Sequence, residues 1–195
     1  MSTHNEIEFK QLLSQAQYNS IYDTYFQSQT PFVQTNYYIE TSDFTLREHH
    51  SALRIREHDD QYEVTLKVPA EVGLTEYDHD IDLVPQIDQT IQSDDLPEDI
   101  LEQLKAMDVD LSDLTVLGSL TTERMERKLG DNLLVLDKSS YLDCVDYELE
   151  FEVEDHDQGK QQFDEILKEF GMTHEKPNNK VQRFFTRKSE LNHRH

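Results

Sequence analysis

The chain has 195 residues with 41 Asp and Glu against 18 Lys and Arg, which gives a formal net charge of −23. A surface this negative repels the phosphate backbone of long nucleic acids and the anionic lipids of a membrane, which argues against both as partners. The 5 glycines stand far apart, so neither the P-loop nor the dinucleotide-binding fingerprint can be written, and a phosphate must be bound by side chains.

The single cysteine, Cys144, excludes a disulfide framework and a cysteine-based zinc site. The N-terminal residues lack the basic and apolar regions of a signal peptide, and no apolar run approaches the roughly 18 residues of a membrane span. These features predict a soluble cytoplasmic protein. We expect one domain over residues 1–190 and a flexible tail at 191–195.

The predicted helices and strands suggest an α+β fold with a mostly antiparallel sheet. Three segments have the period of amphipathic helices: after the capping box Ser14/Gln17, after Pro97, and from about Gln161 to Gly171. Nine segments alternate apolar and polar residues as β-strands do: Asn5–Lys10, Asn36–Glu40, Ala52–His58, Tyr62–Val68, Leu74–Leu83, Leu117–Lys128, Leu133–Ser139, Asp146–Glu154 and Val181–Arg187. The pair Asp59-Asp60 between two of them predicts a tight hairpin.

The polar face of several predicted strands carries long charged side chains in place of small polar ones. In Glu6-Ile7-Glu8-Phe9-Lys10 the charged residues share one face, as the two arginines of Leu53-Arg54-Ile55-Arg56 do. Strand by strand, a solvated sheet face explains this pattern. When the strands are considered together, that explanation is weaker. Three acidic side chains on one strand repel one another, and so do two arginines on another strand, unless opposite charges lie between them. In a closed sheet with helices outside, the apolar residues of every strand could lie under the helices and the charged residues in the interior.

These motifs, taken in order, resemble the CYTH superfamily, the triphosphate tunnel metalloenzymes, and most of all its small bacterial YjbK-like members. The resemblance covers residues 6 to about 187 and rests on these elements: Glu6-Ile7-Glu8-Phe9-Lys10, Arg54 with Arg56, Lys67, Glu76-Tyr77-Asp78, Arg124, Asp137, Glu148-Leu149-Glu150, and Lys180 with its neighbour Arg183. It implies a closed eight-stranded antiparallel β-barrel, a triphosphate tunnel, with helices packed on the outside. It also implies hydrolysis of inorganic triphosphate, or a related organic triphosphate, with Mg²⁺ or Mn²⁺ as cofactor.

The resemblance also implies roles for individual side chains. The implied metal-binding carboxylates are Glu6, Glu8, Asp137, Glu148 and Glu150. The implied phosphate-binding bases are Lys10, Arg54, Arg56, Lys67, Arg124, Lys180 and Arg183, although Arg183 could equally be a surface residue. Glu8, Lys10 and Arg56 are the expected catalytic groups, and Glu63, Glu76, Asp78 and Glu152 would orient the bases.

Two other functions are compatible with the same sequence. A class IV adenylyl cyclase or a thiamine triphosphatase would perform a different reaction on the same fold. A module that binds polyphosphate or a nucleotide with little turnover would need the bases, but it would gain nothing from so many carboxylates. The sequence leaves a homodimer possible and predicts a small triphosphate or polyphosphate as ligand.

Overall fold

The computed structural model describes residues 2–193. Within them the strands are β1 (Ser2–Glu6), β2 (Glu8–Leu13), β3 (Phe32–Glu40), β4 (Ala52–His58), β5 (Gln61–Pro69), β6 (Leu74–Ile81), β7 (Thr115–Leu129), β8 (Asn132–Tyr141) and β9 (Cys144–Glu152). The helices are α1 (Gln15–Ile21), α2 (Thr45–Glu48), α3 (Glu98–Ala106), α4 (His156–Glu169) and α5 (Lys180–Asn192). A π-helical turn, Tyr22–Phe26, continues α1. This composition confirms the α+β class.

The strands follow the order β1-β6-β5-β4-β3-β7-β8-β9-β2, and the described registers are antiparallel. The expected closed barrel of eight strands is therefore corrected: residues 2–193 contain nine strands in an open order that begins at β1 and ends at β2. The extra strand arises because the predicted strand Asn5–Lys10 is interrupted at Ile7. Its first half pairs with β6 and its second half pairs with β9.

The hairpins have the backbone geometry that two-residue turns require. Asp59 and Asp60 both have positive φ, 51° and 60°, as in the turns that match the twist of paired strands, and the predicted β4–β5 hairpin is confirmed. Gly130, with φ of 63°, opens the turn between β7 and β8. Glycine adopts this backbone conformation without steric cost.

The chain divides into two compact units, and the divisions fall between Glu6 and Ile7, within β3 and within β7. The first unit comprises residues 2–6 and Gln34–Leu120, and the second comprises Ile7–Val33 and residues 121–193. Each unit has its own apolar core on one face of its strands. In the first unit, Leu53, Ile55 and Leu66 of β4 and β5 pack with Ile100 and Leu104 of α3.

The core of the second unit is formed by β8, β9, α1 and α4. Phe151 of β9 and Phe163 of α4 are fully buried and stacked, with ring centroids 6.2 Å apart. The capping box predicted for α1 is confirmed, because the Ser14 hydroxyl accepts from the backbone of Gln17 while the Gln17 side chain accepts from the Ser14 backbone.

One predicted strand, Val181–Arg187, is wrong, since these residues lie in the helix α5. Asn179 and Gln182 form a reciprocal capping box at its start. Phe184 and Phe185 are the buried residues of this helix. The short run Val181–Arg187 fits a strand by alternation alone, but the Asn-x-x-Gln signal before the apolar residues favours a helix.

The remaining segments differ less from expectation. Helix α4 begins at His156, before the predicted start near Gln161. In the predicted tail 191–195, Leu191 and Asn192 belong to α5 and His193 follows it, while residues 194–195 lie outside the described part of the chain. Among the described residues, no helix is both long enough and apolar enough to cross a membrane.

Gly159 in α4 packs so closely on Val153 that a side chain has no space there. A Cβ built on Gly159 would lie 2.5 Å from a Val153 methyl carbon. Alanine gains about 1 kcal/mol over glycine in a helix, whereas overpacking against a stiff β-branched side chain costs about 1–3 kcal/mol. We expect the upper end of that cost, so Gly159→Ala lowers the melting temperature measured by circular dichroism.

The control for this prediction removes the neighbour. In a Val153→Ala background, Gly159→Ala should be neutral or stabilising, and Gln161→Ala on the exposed face of α4 should leave the melting temperature unchanged. An equal or higher melting temperature for Gly159→Ala in the wild-type background would contradict the close packing.

Candidate functional site

The second unit carries a charged face formed by four neighbouring strands. The register places Arg124 of β7 opposite Asp137 of β8, which in turn lies opposite Glu148 of β9. In the adjacent row, Glu150 of β9 lies opposite Lys10 of β2. Because cross-strand partners share a face and residues two apart on one strand do as well, these side chains project from the same side.

Asp137 is the centre of this face and is fully buried. The Arg124 guanidinium donates to both of its oxygens, at 2.8 Å each, and the Lys180 ammonium lies 2.8 Å from Oδ2. Burial alone would raise the pKa of Asp137, but Arg124 and Lys180 outweigh it and hold the pKa below its ordinary value. Asp137 is therefore an ionised carboxylate that orients two of the predicted phosphate-binding bases.

Two predicted bases are supplied by α5. Lys180 is its first residue and forms ion pairs with Asp137 and Glu150. Arg183, one turn later, donates to Glu148 Oε2 at 2.5 Å and to Asp146 Oδ2 at 3.0 Å, and its side chain is 10% exposed. Arg183 therefore lies in the charged cluster, which argues against an ordinary surface residue.

Lys10 is enclosed by acidic groups. Its ammonium lies 2.8 Å from Glu8 Oε1. Burial would lower the pKa of Lys10, but the carboxylates of Glu8, Glu150 and Glu148 outweigh burial and raise it. The lysine thus stays charged at neutral pH and is held in a fixed position before any anion arrives.

Glu148 is the carboxylate of this face that has an oxygen available for a further ligand. It is 1% exposed, and its Oε1 has no hydrogen-bond partner among the described residues. Burial is the main cause of its raised pKa, so the surrounding bases do not fully compensate its negative charge. A buried, unpaired carboxylate oxygen beside Glu150 and Asp137 fits a divalent cation, because Mg²⁺ and Mn²⁺ prefer oxygen ligands.

The first unit carries a second charged face on β4, β5 and β6. Across β4 and β5, Arg56 lies opposite Glu63 and Arg54 opposite Thr65. Lys67 of β5 lies opposite Glu76 of β6. The opposite side of these strands holds the apolar core, so the alternation predicted from the sequence is present in this unit as well.

The basic side chains of this face contact different polar groups. Lys67 lies 2.9 Å from Glu6 Oε1 and 3.6 Å from Glu76 Oε2. Arg56 donates through Nε to Asn36 Oδ1 at 2.9 Å, while the buried Nε of Arg54 lacks a hydrogen-bond partner among residues 2–193. An unsatisfied buried guanidinium donor is the group that an anionic oxygen would satisfy.

The predicted site residues thus fall into two sets, each assembled within its own unit. The structure brings Glu8, Lys10, Arg124, Asp137, Glu148, Glu150, Lys180 and Arg183 together in the second unit, and Glu6, Arg54, Arg56 and Lys67 in the first.

Sequence reasoning missed Asn36, the acceptor for Arg56, and Asp146, the acceptor for Arg183. Position along the strands could have identified both residues. Asn36 lies opposite Arg56 in the register, and Asp146 lies two residues before Glu148 on the same strand.

Comparison with known proteins assigns the family. The sequence pattern of the CYTH domain matches residues 4–185. The chain belongs to the CYTH domain family. The candidate triphosphatase YjbK of Bacillus subtilis (strain 168) is 36% identical over 190 residues, which are 96% of this chain and 98% of YjbK. The resemblance inferred from the ordered motifs is therefore confirmed, including its YjbK-like character.

Solved structures share the fold of this CYTH protein. A candidate adenylate cyclase from Bacillus halodurans is 31% identical, with a TM-score of 0.82 over 95% of this chain and 100% of that one. A candidate adenylyl cyclase from Hippeastrum with a dominant triphosphatase activity is 24% identical, with a TM-score of 0.73 over 93% and 95% of the two chains. At 24% identity, the likeness to the Hippeastrum protein shows a shared fold and nothing more.

The buried pairs around Asp137 predict a strong dependence of stability on that carboxylate. Asp137→Asn leaves Arg124 and Lys180 without their shared partner, and breaking a buried pair in this way costs about 3–5 kcal/mol. We expect urea denaturation at pH 7 to show a loss of this size. Asp131→Asn, at an exposed turn position, is the matched control and should unfold as wild type does.

The pH dependence of that loss follows from the direction of the pKa shift. A carboxylate with a depressed folded-state pKa contributes its stability above its unfolded pKa, about 3.9 for Asp, and loses it as the pH falls through the folded value. The difference between wild type and Asp137→Asn should therefore be constant from about pH 6 to 8 and shrink below about pH 4. A difference that grows on acidification would contradict the ionised state of Asp137.

Proposed function

We propose that this chain hydrolyses a small triphosphate, inorganic triphosphate or a related organic one, in a reaction that depends on Mg²⁺ or Mn²⁺. The observation that carries the proposal is the placement of the basic residues. Of 18 Lys and Arg in a chain of net charge −23, seven lie on the strands of the two charged faces or reach one of them from α5, near carboxylates: Lys10, Arg54, Arg56, Lys67, Arg124, Lys180 and Arg183. Each of the two groups of bases suits the oxygens of a short, highly charged anion.

The bases would bind the phosphate oxygens. Arg124 and Arg183 present planar guanidinium groups that bind oxygens in pairs, whereas Lys10 and Lys180 present compact ammonium charges. In the structure each of these groups already contacts a carboxylate, so each is held in place and keeps its charge. Phosphoryl transfer depends mainly on such positioning and charge neutralisation, so this chain needs no covalent nucleophile.

The carboxylates would hold the divalent cation and the attacking water. Glu148, with its unpaired Oε1, is the best supported metal ligand, and Glu6, Glu8, Glu150 and Asp137 are the others predicted. A bound Mg²⁺ or Mn²⁺ would neutralise phosphate charge and lower the pKa of water. Both oxygens of Asp137 are used by Arg124 and Lys180, which supports an orienting role for this residue over metal binding.

The hydrolytic step needs only the triphosphate and one water molecule as reactants. The oxygen of a water molecule bonds to the terminal phosphorus, and the bridging P–O bond breaks to release diphosphate. Glu8 would accept a hydrogen bond from that water, and the proton leaves to solvent. Lys10 of the second unit would stabilise the negative charge that develops on the reacting oxygens, and Arg56 of the first unit is the other catalytic base predicted from the sequence.

Phosphate release from inorganic triphosphate tests the proposal. With Mg²⁺ or Mn²⁺ present, wild type should release phosphate, and a chelator should abolish the release. Glu8→Gln and Arg56→Ala each remove one positioned group, which we expect to lower kcat/KM on the order of 10²-fold. The matched controls Glu165→Gln and Lys105→Ala, at exposed positions of α4 and α3, should retain wild-type values.

The same assay separates the alternatives. If Glu8→Gln and Arg56→Ala both match wild type, the assigned groups are wrong. Cyclic AMP as the product from ATP would identify a cyclase, and faster turnover of thiamine triphosphate than of inorganic triphosphate would identify a thiamine triphosphatase. Calorimetric binding of triphosphate with no turnover above Glu8→Gln would identify a binding module. The cytoplasmic location and a homodimer remain predictions from the sequence.

A further inference from the structure

The first unit contains a cluster in which two carboxylates expected to orient the bases meet a histidine that has no role in the proposed hydrolysis. His4 of β1 lies opposite Glu76 of β6, and Asp78 is two residues further along β6 on the same face. One imidazole nitrogen and one oxygen from each carboxylate all lie within 4.8 Å of one another. The closest pairs are His4 Nδ1 with Asp78 Oδ2, at 3.6 Å, and His4 Nε2 with Glu76 Oε2, at 3.9 Å.

Each carboxylate offers one oxygen that is not used in a hydrogen bond within the unit. Asp78 accepts from the Thr65 hydroxyl through Oδ1, at 2.6 Å, which leaves Oδ2 facing His4. Glu76 is 7% exposed, and its buried Oε2 has no hydrogen-bond partner among the described residues, although the Lys67 ammonium lies 3.6 Å away. Lys67 lies closer to Glu6, at 2.9 Å, so that lysine keeps a partner if Glu76 binds a cation.

The spacing of these atoms matches a metal site better than a set of direct hydrogen bonds. Three ligands placed about 2.1 Å from a common tetrahedral ion lie roughly 3.4 Å from one another. The separations of 3.6 and 3.9 Å are longer than a hydrogen bond and involve different ring nitrogens, so one ion would use only one of them. A single nitrogen and one oxygen from each carboxylate lie within 4.8 Å of one another, which a bound ion would bring closer to that value. The Thr65 hydroxyl fixes the Asp78 carboxylate in the way that outer hydrogen bonds orient metal ligands.

We propose that His4, Glu76 and Asp78 form a binding site for a divalent transition-metal ion such as Zn²⁺ or Co²⁺. Imidazole selects these ions, whereas Mg²⁺ takes oxygen ligands. The three residues would leave a coordination position open to water or to an anion. The His4 side chain is 50% exposed, which gives the ion a path from solvent to the two buried carboxylates.

Calorimetric titration of the full chain with Zn²⁺ tests the site, after treatment with a chelator and without triphosphate. Wild type should bind one more equivalent of Zn²⁺ than His4→Ala, or bind it on the order of 10²-fold more tightly. His49→Ala, which removes an exposed imidazole elsewhere in the first unit, is the matched control and should bind as wild type does. His4→Gln is a second variant in case His4→Ala perturbs β1.

A second readout reports coordination directly. Co²⁺ should give wild type and His49→Ala the intense visible absorption of a distorted tetrahedral site, and this absorption should be lost in both His4 variants. Identical Zn²⁺ isotherms and Co²⁺ spectra for wild type and the His4 variants would overturn the proposal. Neither measurement depends on hydrolysis, so failure of the triphosphatase assignment would leave this result unaffected, and the reverse also holds.

Discussion

Burial of charge is the constraint on which the rest of this structure depends. A carboxylate or an ammonium group that leaves water loses solvation worth several kcal/mol, so it must be paired inside the protein. Asp137 is fully buried and is paired with Arg124 and Lys180, which come from a neighbouring strand and from the last helix. The network therefore links the secondary structure of the second unit through charge as well as through its apolar core.

The same constraint explains why the two faces of the strands differ so sharply. Leu134, Leu136 and Leu149 fill one face of the second unit, while Asp137, Glu148 and Glu150 occupy the other. A one-residue slip in register would bury the carboxylates among leucines, so the pattern itself specifies the pairing. The basic side chains of this face therefore stay charged and are aligned before a ligand binds. Under this condition, electrostatic catalysis needs no reorganisation of the protein during the reaction.

Much of the fold and of the candidate site could be predicted from the sequence, because strand alternation places a residue on a face without knowledge of distant contacts. Arg124, Asp137 and Glu148 were predicted from position and resemblance, and the structure lines them up in one cross-strand row. The helical state of Val181–Arg187 was missed because a short apolar pattern fits both periods. The break at Ile7 was missed because it depends on two long-range pairings that no local signal reports.

One similar protein is named a candidate triphosphatase and another a candidate adenylate cyclase, so the central question is which ligands the charged faces bind. A crystal structure of the protein with inorganic triphosphate and Mn²⁺ answers it most directly, since anomalous scattering locates the metal. We expect Mn²⁺ on Glu148 and phosphate oxygens within hydrogen-bond distance of Lys10 and Lys180. Phosphate and metal bound only away from the two charged faces would contradict it.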